Sequence, residues 1–181
     1  MKKAVFLDRD GTIIKDKGYV TDIKDVVFYN FTFECLRKLQ KKYLLFIITN
    51  QSGISKGLLT NKDLEHIHKH ILKQLSENGI EIKEIYSCPH VKEDNCNCRK
   101  PNPYFINQAK ESYNIDVKNS YVIGDHPSDI GLAINSGAKG IFVLTGHGQK
   151  HYNELDNSNK EQIKICKSLD LACKFILSTN A

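Results

Sequence analysis

Two aspartates near the start of the chain, Asp8 and Asp10, have the type and spacing of side chains that hold a divalent cation. They follow the apolar run AVFL, which predicts a buried strand at about 3–7. In an extended backbone, residues i and i+2 point to the same side, so we expect both carboxylates to converge just past the strand. Two neighbouring anions repel each other, and Mg²⁺ is the cation that best suits such oxygen ligands. Gly11 would let the backbone turn sharply towards a bound oxyanion.

Further polar residues follow the other predicted strands. Thr49 and Asn50 end the second strand, Asp125 ends a later one, and Arg99 and Lys100 precede a helix. In a parallel sheet the carboxyl ends of the strands lie on one edge, so these groups can meet the two aspartates there. Carboxylates, a lysine and a hydroxyl are the groups that stabilise a phosphoryl group during transfer, and an aspartate can itself be the nucleophile.

Four potential metal ligands lie within eleven residues, in the pattern Cys-x-His followed by Cys-x-Cys. They are Cys88, His90, Cys96 and Cys98. Three thiolates and one imidazole suit a closed tetrahedral Zn²⁺ site, which is structural because no position stays open for water. The loop has almost no apolar residues, so zinc would supply the energy that folds it. It would also direct the two basic residues that follow.

The elements that position these groups are predicted from alternating apolar strands and amphipathic helices. This pattern indicates a single α/β domain over residues 1–181, a three-layer Rossmann-like fold with a central parallel sheet. Strands are predicted at 3–7, 43–48, 83–87, 120–125, 140–144 and 163–166, and helices at 31–42, 61–78, 103–113, 127–136 and after 168. Three histidines of the second helix, His66, His68 and His70, fall off its apolar stripe and are expected to face solvent.

Composition excludes several classes of protein. The 181 residues are 40% hydrophobic and 26% charged, with a mean hydropathy of −0.40. They contain no long apolar run, so no membrane span or signal peptide is expected and the prediction is a cytoplasmic protein. The net charge of +5 comes from dispersed lysines, which suit phosphorylated small molecules and predict no nucleic-acid partner. Cys35, Cys166 and Cys173 lie in apolar segments and are expected to be buried.

The motifs LDRDGT, ITNQSGIS, CRKP and VIGD resemble, in this order, those of haloacid-dehalogenase (HAD) phosphatases over residues 3–148. The resemblance implies that Asp8 is the nucleophile, and that Asp10 is first the general acid and then the base. It implies that Thr49 hydrogen-bonds the phosphoryl oxygens and that Lys100 bridges Asp8 and the phosphate. It also implies that Mg²⁺ is bound by Asp8, by the backbone carbonyl of Asp10 and by Asp125.

With the cysteine loop, these motifs resemble the branch that holds the heptose 1,7-bisphosphate 7-phosphatases and the histidinol-phosphate phosphatases. That resemblance implies a minimal cap and removal of the 7-phosphate of D-glycero-D-manno-heptose 1,7-bisphosphate through an aspartyl-phosphate. We expect a monomer. DKGYV matches the substrate loop of the heptose enzymes. The substrate contacts it implies are Asp16, Gly18, Tyr19, Asn50, Gln51, Ser52, Arg99 and His126.

The sequence departs from the branch at three places, and the last two leave the substrate open. The spacer VKEDN is short, Asn102 and Pro103 follow CRKP, and His126 stands where the branch often has lysine. Histidinol phosphate is one alternative substrate. A 3′-phosphorylated DNA end is another, because the DNA 3′-phosphatases share DxDGT, TNQ-G and RKP, and a zinc-stabilised binding module without activity is a fourth hypothesis. Asp129 is a weaker candidate for supporting the site. His147 and His151 are expected to be ordinary surface residues.

Overall fold

The computed structural model of the protein describes residues 1–179. Strands and helices alternate along the chain. The strands are β1 (Ala4–Leu7), β2 (Leu44–Asn50), β3 (Glu84–Cys88), β4 (Tyr121–Gly124), β5 (Lys139–Val143) and β6 (Lys164–Cys166). The helices are α1 (Thr32–Leu39), α2 (Asn61–Glu77), α3 (Tyr104–Tyr113), α4 (Pro127–Ser136), α5 (Gly148–His151), α6 (Asn157–Gln162) and α7 (Leu169–Ser178).

The six strands form one parallel sheet in the order β3-β2-β1-β4-β5-β6. In the register of the sheet, Val5 of β1 lies opposite Leu45 on one side and Tyr121 on the other. The sheet grows outward from β1 in both directions, with β2 and β3 on one side and β4 to β6 on the other. Ligands of open α/β sheets bind beyond the carboxyl ends of the strands, at the point where the strand order reverses. Here that point lies at β1 and β4, and the predicted three-layer fold is confirmed.

The apolar residues of each strand are divided between the two faces of the sheet. On one face, Val5, Leu7 and Ile47 pack against α1, α2 and α7, while on the other Phe6 and Phe46 pack against α3 and α4. Both faces are therefore covered by helices, which explains why these strands are continuous apolar runs. Cys35, Cys166 and Cys173 are buried, as the sequence predicts.

The helix ends follow local sequence rules. Thr60 and Asp63 form a capping box at the start of α2, and Gly137 ends α4 in the left-handed conformation with φ +78°. The segments that follow β1 and β2 contain turns and one 3-10 helix, Ile23–Asp25, in agreement with the expected minimal cap. Among residues 1–179, no helix has the length and hydrophobicity needed to cross a lipid bilayer.

Candidate active site

A buried ion cluster lies at the carboxyl ends of β1 and β4. The ammonium nitrogen of Lys100 is 2.5 Å from Asp8 Oδ1 and 2.7 Å from Asp129 Oδ1. All three residues are buried. Burial by itself lowers the pKa of Lys100, but the carboxylates of Asp129 and Asp8 outweigh this effect and raise it. Lys100 is therefore a permanent cation that holds the Asp8 carboxylate in place.

The position of Lys100 is fixed from β2. Its ammonium group donates to the backbone carbonyl of Ile48 at 2.8 Å. The side chain of Asn50 binds the backbone of Lys100 twice, accepting from its N–H at 3.1 Å and donating to its carbonyl at 3.3 Å. Asn50 is thus a clamp that joins the segment after the cysteine loop to the end of β2.

Asp125 lies at the end of β4, against backbone that only glycine can supply. A Cβ atom on Gly11 would come within 2.1 Å of Asp125 Oδ2, and one on Gly146 within 2.3 Å. Gly11 also has φ +81°. The Asp125 carboxylate accepts from the backbone N–H of His147 at 2.7 Å, while Thr145 Oγ1 donates to the Gly11 carbonyl at 2.6 Å. The loop after β5 therefore encloses the metal-binding side of the site.

Three carboxylates are close enough to share a metal ion. Ligand oxygens of Asp8, Asp125 and Asp129 lie within 4.8 Å of one another. Burial raises the pKa of Asp8 to about 6, assisted by the charge of Asp129 and opposed by Lys100. Burial, followed by the charges of Asp8 and Asp129, raises the pKa of Asp125 to about 8. Carboxylates that repel one another in this way form a donor set suited to a hard divalent cation such as Mg²⁺.

The Asp10 carboxylate lines the same cavity as Asp8 but is not one of the three grouped carboxylates. It is held instead by the guanidinium of Arg9, with Nε donating to Oδ2 at 2.9 Å and Nη2 donating to Oδ1 at 3.0 Å. Gln51 Nε2 donates to Asp10 Oδ2 at 3.0 Å and to Thr49 Oγ1 at 2.8 Å. Burial raises the pKa of Asp10, and the Arg9 charge acts against this rise.

The four predicted zinc ligands form one cluster at the end of β3. The sulfur of Cys88 is 3.2 Å from that of Cys98 and 3.6 Å from that of Cys96. His90 Nδ1 lies 3.3 Å from Cys98 Sγ. Zn–S bonds of about 2.3 Å place the sulfurs of a tetrahedral site about 3.8 Å apart, so the side chains need little movement to bind Zn²⁺. Arg99 Nη1 donates to the His90 carbonyl at 2.9 Å, which ties this loop to the adjacent basic pair.

An open cavity of about 720 Å³ connects the ion cluster to the cysteine loop. Side chains of the cysteine loop and of the segment after β4 form two of its walls. The predicted site residues that line it are Asp8, Asp10, Asp16, Thr49, Asn50, Cys96, Arg99, Lys100, Asp125 and His126. A sugar bisphosphate is smaller than this volume, so the cavity can take a substrate with two charged ends.

Four predicted substrate contacts do not line this cavity. Gln51 is buried beneath it, and the Gly18 N–H donates to Asp16 Oδ1 at 2.7 Å within a turn. Tyr19 packs on Gly53, where a Cβ atom would come within 2.6 Å of the ring, and its hydroxyl pairs with Lys56 Nζ at 2.8 Å. Ser52 belongs to this same turn region. The structure thus places the DKGYV segment beside the cavity, with Asp16 alone among its predicted contacts on the wall.

The structure places at the site several residues that the sequence analysis missed or ranked low. His147 is exposed, as expected, but it also forms part of the cavity wall, with Nδ1 3.0 Å from Asp16 Oδ2. Asp129 is a full member of the ion cluster, and its position three residues after the α4 N-cap was the signal for it. Arg9 is fully buried between the two aspartates of the first motif. His68 lies against Arg9, with Nε2 3.3 Å from Arg9 Nη1, so the expectation that it faces solvent was wrong.

The chain has clear relatives among known proteins. A family model described as HAD-hydrolase-like matches residues 97–172. The chain is 42% identical over 173 residues to the D-glycero-alpha-D-manno-heptose-1,7-bisphosphate 7-phosphatase of Campylobacter jejuni, covering 93% of this chain and 98% of that protein. It is 42% identical over 145 residues to a D-glycero-beta-D-manno-heptose-1,7-bisphosphate 7-phosphatase of Helicobacter pylori, covering 79% of this chain and 83% of that protein.

A solved structure agrees with these relatives. The D,D-heptose 1,7-bisphosphate phosphatase of B. bronchiseptica, in complex with magnesium and phosphate, superposes with a TM-score of 0.88 at 27% identity. The match covers 98% of this chain and 99% of the other. These matches extend over most of the chain. They point to the same family as the motif order, the ion cluster and the cysteine loop described above. The chain belongs to the HAD-type phosphatase family that includes the heptose-1,7-bisphosphate 7-phosphatases.

Proposed function

We propose that the protein is a Mg²⁺-dependent phosphomonoesterase that removes the 7-phosphate of D-glycero-D-manno-heptose 1,7-bisphosphate. The observation that carries the proposal is the Asp8 carboxylate, held by Lys100 at the end of β1 and open to the cavity. The names of the most similar relatives supply the substrate. A carboxylate fixed beside a cation, in a cavity with further acids, is suited to attack phosphorus.

In the first step, an Asp8 oxygen forms a bond to the phosphorus of the 7-phosphate as the bond to the sugar oxygen breaks. Asp10 gives its proton to that oxygen, so the sugar leaves as an alcohol. The rise in the pKa of Asp10 on burial favours the protonated form that this step requires. Thr49 and Lys100 bind the phosphoryl oxygens and offset their charge.

In the second step, Asp10 accepts a proton from a water molecule, whose oxygen attacks the phosphorus of the aspartyl-phosphate. The bond between phosphorus and Asp8 breaks, inorganic phosphate leaves and the Asp8 carboxylate is restored. Mg²⁺, bound by Asp8, Asp125 and the Asp10 carbonyl, would offset the charge of the phosphoryl group and of the attacking carboxylate. Asp129 holds Lys100 during both steps through their ion pair.

The second phosphate of the substrate would lie towards the cysteine loop. Arg99 and His126 are on the cavity wall there, with Lys92 supplying a second positive charge. If Zn²⁺ orders this loop, it also fixes Arg99, whose guanidinium is bonded to the His90 carbonyl. We therefore expect the enzyme to prefer a bisphosphate to a simple monoester, because the site would bind both phosphates of the substrate at once.

A substrate panel tests this proposal. With Mg²⁺ present, the specificity constant should be highest for heptose 1,7-bisphosphate, above histidinol phosphate, fructose 1,6-bisphosphate and a 3′-phosphorylated oligonucleotide. The relatives include enzymes named for the alpha and for the beta anomer, so both anomers should be compared. A higher specificity constant for any other member of the panel would overturn the assigned substrate.

Replacing the nucleophile tests the mechanism. Asp8→Asn should lower kcat by roughly a thousandfold or more, as loss of a nucleophile does in other enzymes. The fold should persist, because Lys100 keeps its ion pair with Asp129. Circular dichroism and thermal unfolding provide the check on folding. Activity of the Asp8→Asn protein close to that of wild type would exclude the aspartyl-phosphate route.

We also propose that the enzyme works as a cytoplasmic monomer without a nucleic-acid partner. In support, every group assigned to the site comes from one chain, and the cluster at Cys88, Cys96 and Cys98 needs reduced thiols. Size-exclusion chromatography with light scattering should give a mass near 20.6 kDa. A dimer at working concentration would contradict this proposal.

A further inference from the structure

His68 occupies a place that no step of the reaction uses. It lies on α2, and it does not line the cavity that holds Asp8 and Asp10. Its ring nitrogen Nε2 is nevertheless 3.3 Å from Arg9 Nη1. The contact of His68 with the site that the structure shows is therefore the one with the buried guanidinium.

Arg9 divides its hydrogen bonds between two partners. Nε and Nη2 donate to the two oxygens of Asp10, in the forked geometry that arginine forms with a carboxylate. Nη1 points to His68. The side chain of Arg9 is fully buried, so this last N–H group cannot turn to solvent. A guanidinium N–H left without an acceptor in such a buried site is destabilising, because the group has lost its bond to water and gained none in return.

The chemistry of the two groups fixes the state of His68. Arginine is a donor only and keeps its charge, so His68 Nε2 must be the acceptor and the imidazole must be neutral, with its proton on Nδ1. Burial, and then the adjacent Arg9 charge, lowers the pKa of His68 to about 3. The geometry and the electrostatics thus agree on a neutral ring with one defined tautomer.

We propose that His68 is a positioning residue for Asp10: it accepts a hydrogen bond from Arg9 and so fixes the guanidinium fork that orients the Asp10 carboxylate. The backbone around Arg9 is held as well, since its carbonyl accepts from the N–H groups of Ile13 and Ile14 at 3.1 Å. With the main chain held, the guanidinium and the Asp10 carboxylate could still move together, and the bond from Nη1 to His68 opposes that movement. The inference rests on the proposed role of Asp10 as acid and base.

Loss of this restraint should affect proton transfer more than the binding of substrate. A displacement of about 1 Å in a reacting group can cost on the order of a hundredfold in rate. p-Nitrophenolate leaves without a proton, so formation of the aspartyl-phosphate from p-nitrophenyl phosphate does not need Asp10. Hydrolysis of the aspartyl-phosphate still needs Asp10 as the base. A protein with a poorly oriented Asp10 should therefore release one p-nitrophenolate quickly and then stall.

The experiment compares wild type with His68→Leu, which has no acceptor, and His68→Gln, which keeps one. His66→Asn is the matched control, because His66 is exposed on the same helix. We expect His68→Leu to lower kcat for heptose bisphosphate by about ten- to a hundredfold with KM little changed. We expect it to show a burst of about one p-nitrophenolate per chain. His68→Gln and His66→Asn should stay within about threefold of wild type.

Equal slowing of both steps in His68→Leu, without a burst, would overturn the inference while leaving the proposed function intact. Failure of the wild-type protein to hydrolyse any phosphomonoester would overturn both. A measurement on the wild-type protein covers the case in which His68→Leu does not fold. The ¹⁵N chemical shifts of the His68 ring at pH 7 should be those of a neutral imidazole protonated at Nδ1. Protonation at Nε2 would exclude the bond from Arg9.

Discussion

Charge is unevenly balanced among the side chains at the end of β1. Asp8, Asp125 and Asp129 form one cluster, and Lys100 is the cation paired with it. When all four are ionised, three negative charges meet one positive charge, which leaves two negative charges in a buried site. A divalent cation of charge +2 neutralises this excess, while the separate pair of Arg9 and Asp10 is already neutral. The number of carboxylates is thus matched to Mg²⁺.

Gly11 permits a test of this metal site. Gly11→Ala should destabilise the fold and raise the Mg²⁺ concentration for half-maximal activity by about tenfold or more, because the new methyl group would collide with Asp125. The control is Gly79→Ala, at φ +71° with nothing within 4 Å of the added Cβ. Gly79→Ala should lower the free energy of unfolding by only about 1–2 kcal/mol, which is the cost of placing alanine in the left-handed conformation.

Thermal unfolding and a Mg²⁺ titration of activity measure the two effects. The same Mg²⁺ requirement in both variants would show that the Gly11 backbone does not support Asp125.

The sequence predicts which side chains belong to the site better than it predicts how they are oriented. Asp8, Lys100 and Asp125 follow from motif and strand position, because the chain direction alone puts them on one edge. The turn of the Asp10 carboxylate towards Arg9 could not be predicted, since it depends on a buried guanidinium packed between two segments. His68 was misjudged for a related reason. Helical periodicity separates apolar from polar faces, but it does not reveal a polar partner across the interface.

The cysteine loop acts as an element in its own right. It runs from the end of β3 into the segment that carries Arg99 and Lys100, with the short 3-10 helix Lys92–Asp94 inside it. Asn102 Nδ2 donates to the Cys96 carbonyl at 2.9 Å, so the loop is also bonded to the residues that follow. The conformation of this loop therefore determines the position of the backbone that carries Lys100.

Removal of zinc tests this coupling. We expect about one zinc per chain by elemental analysis, and we expect Cys98→Ser to lower both zinc content and kcat, because the segment leading to Lys100 loses its anchor. Cys166→Ala is the control, since Cys166 is buried against the main core and outside the cluster. A zinc-free protein with wild-type stability and activity would rule out a metal-ordered loop.

The last helix is a structural element of the core. Leu169, Ala172 and Ile176 of α7 are fully buried and pack in the same cluster as α1. Leu169→Ala should lower the free energy of unfolding by about 2–5 kcal/mol, as expected for a large-to-small change in a core. Leu171→Ala, on the same helix but 38% exposed, should have a much smaller effect. Urea unfolding distinguishes them, and equal losses would mean that α7 does not pack as described.

Element boundaries were predicted to within a few residues where apolar periodicity is strong. Helix α2 is the best case, because its capping box marks the start of the helix. The short helices α5 and α6, GQKH and NSNKEQ, went unnoticed. Their residues are polar and each has fewer than two turns, so no periodic pattern marks them, and the contacts with the rest of the chain determine their conformation.

Across the whole molecule, stability should depend on pH through His68. Its pKa is about 3 in the folded protein and near 6.5 in an unfolded chain. As pH falls below about 6.5 the unfolded chain gains a proton that the folded chain does not, so the folded state loses stability. The loss is at most about 1.4 kcal/mol per pH unit and continues towards pH 3. The charged neighbours are Arg9 on one side and Glu65, Lys69 and Glu84 around the adjoining groove.

Urea unfolding of wild type and His68→Gln at pH 7 and pH 5 provides the measurement. Glutamine does not titrate, so wild type should lose more stability than the variant between these two pH values. The same loss in both proteins would show that the pKa of His68 is not lowered in the folded state.

Because the six strands are parallel, their carboxyl ends all lie on one side of the sheet and their amino ends on the opposite side. Every group assigned to the chemistry lies at or beyond the carboxyl ends, whereas Met1 is highly exposed before β1, at the amino end. An affinity tag or a surface linkage attached to Met1 would thus leave the mouth of the cavity clear. Immobilised enzyme prepared in this way should admit substrate as freely as enzyme in solution.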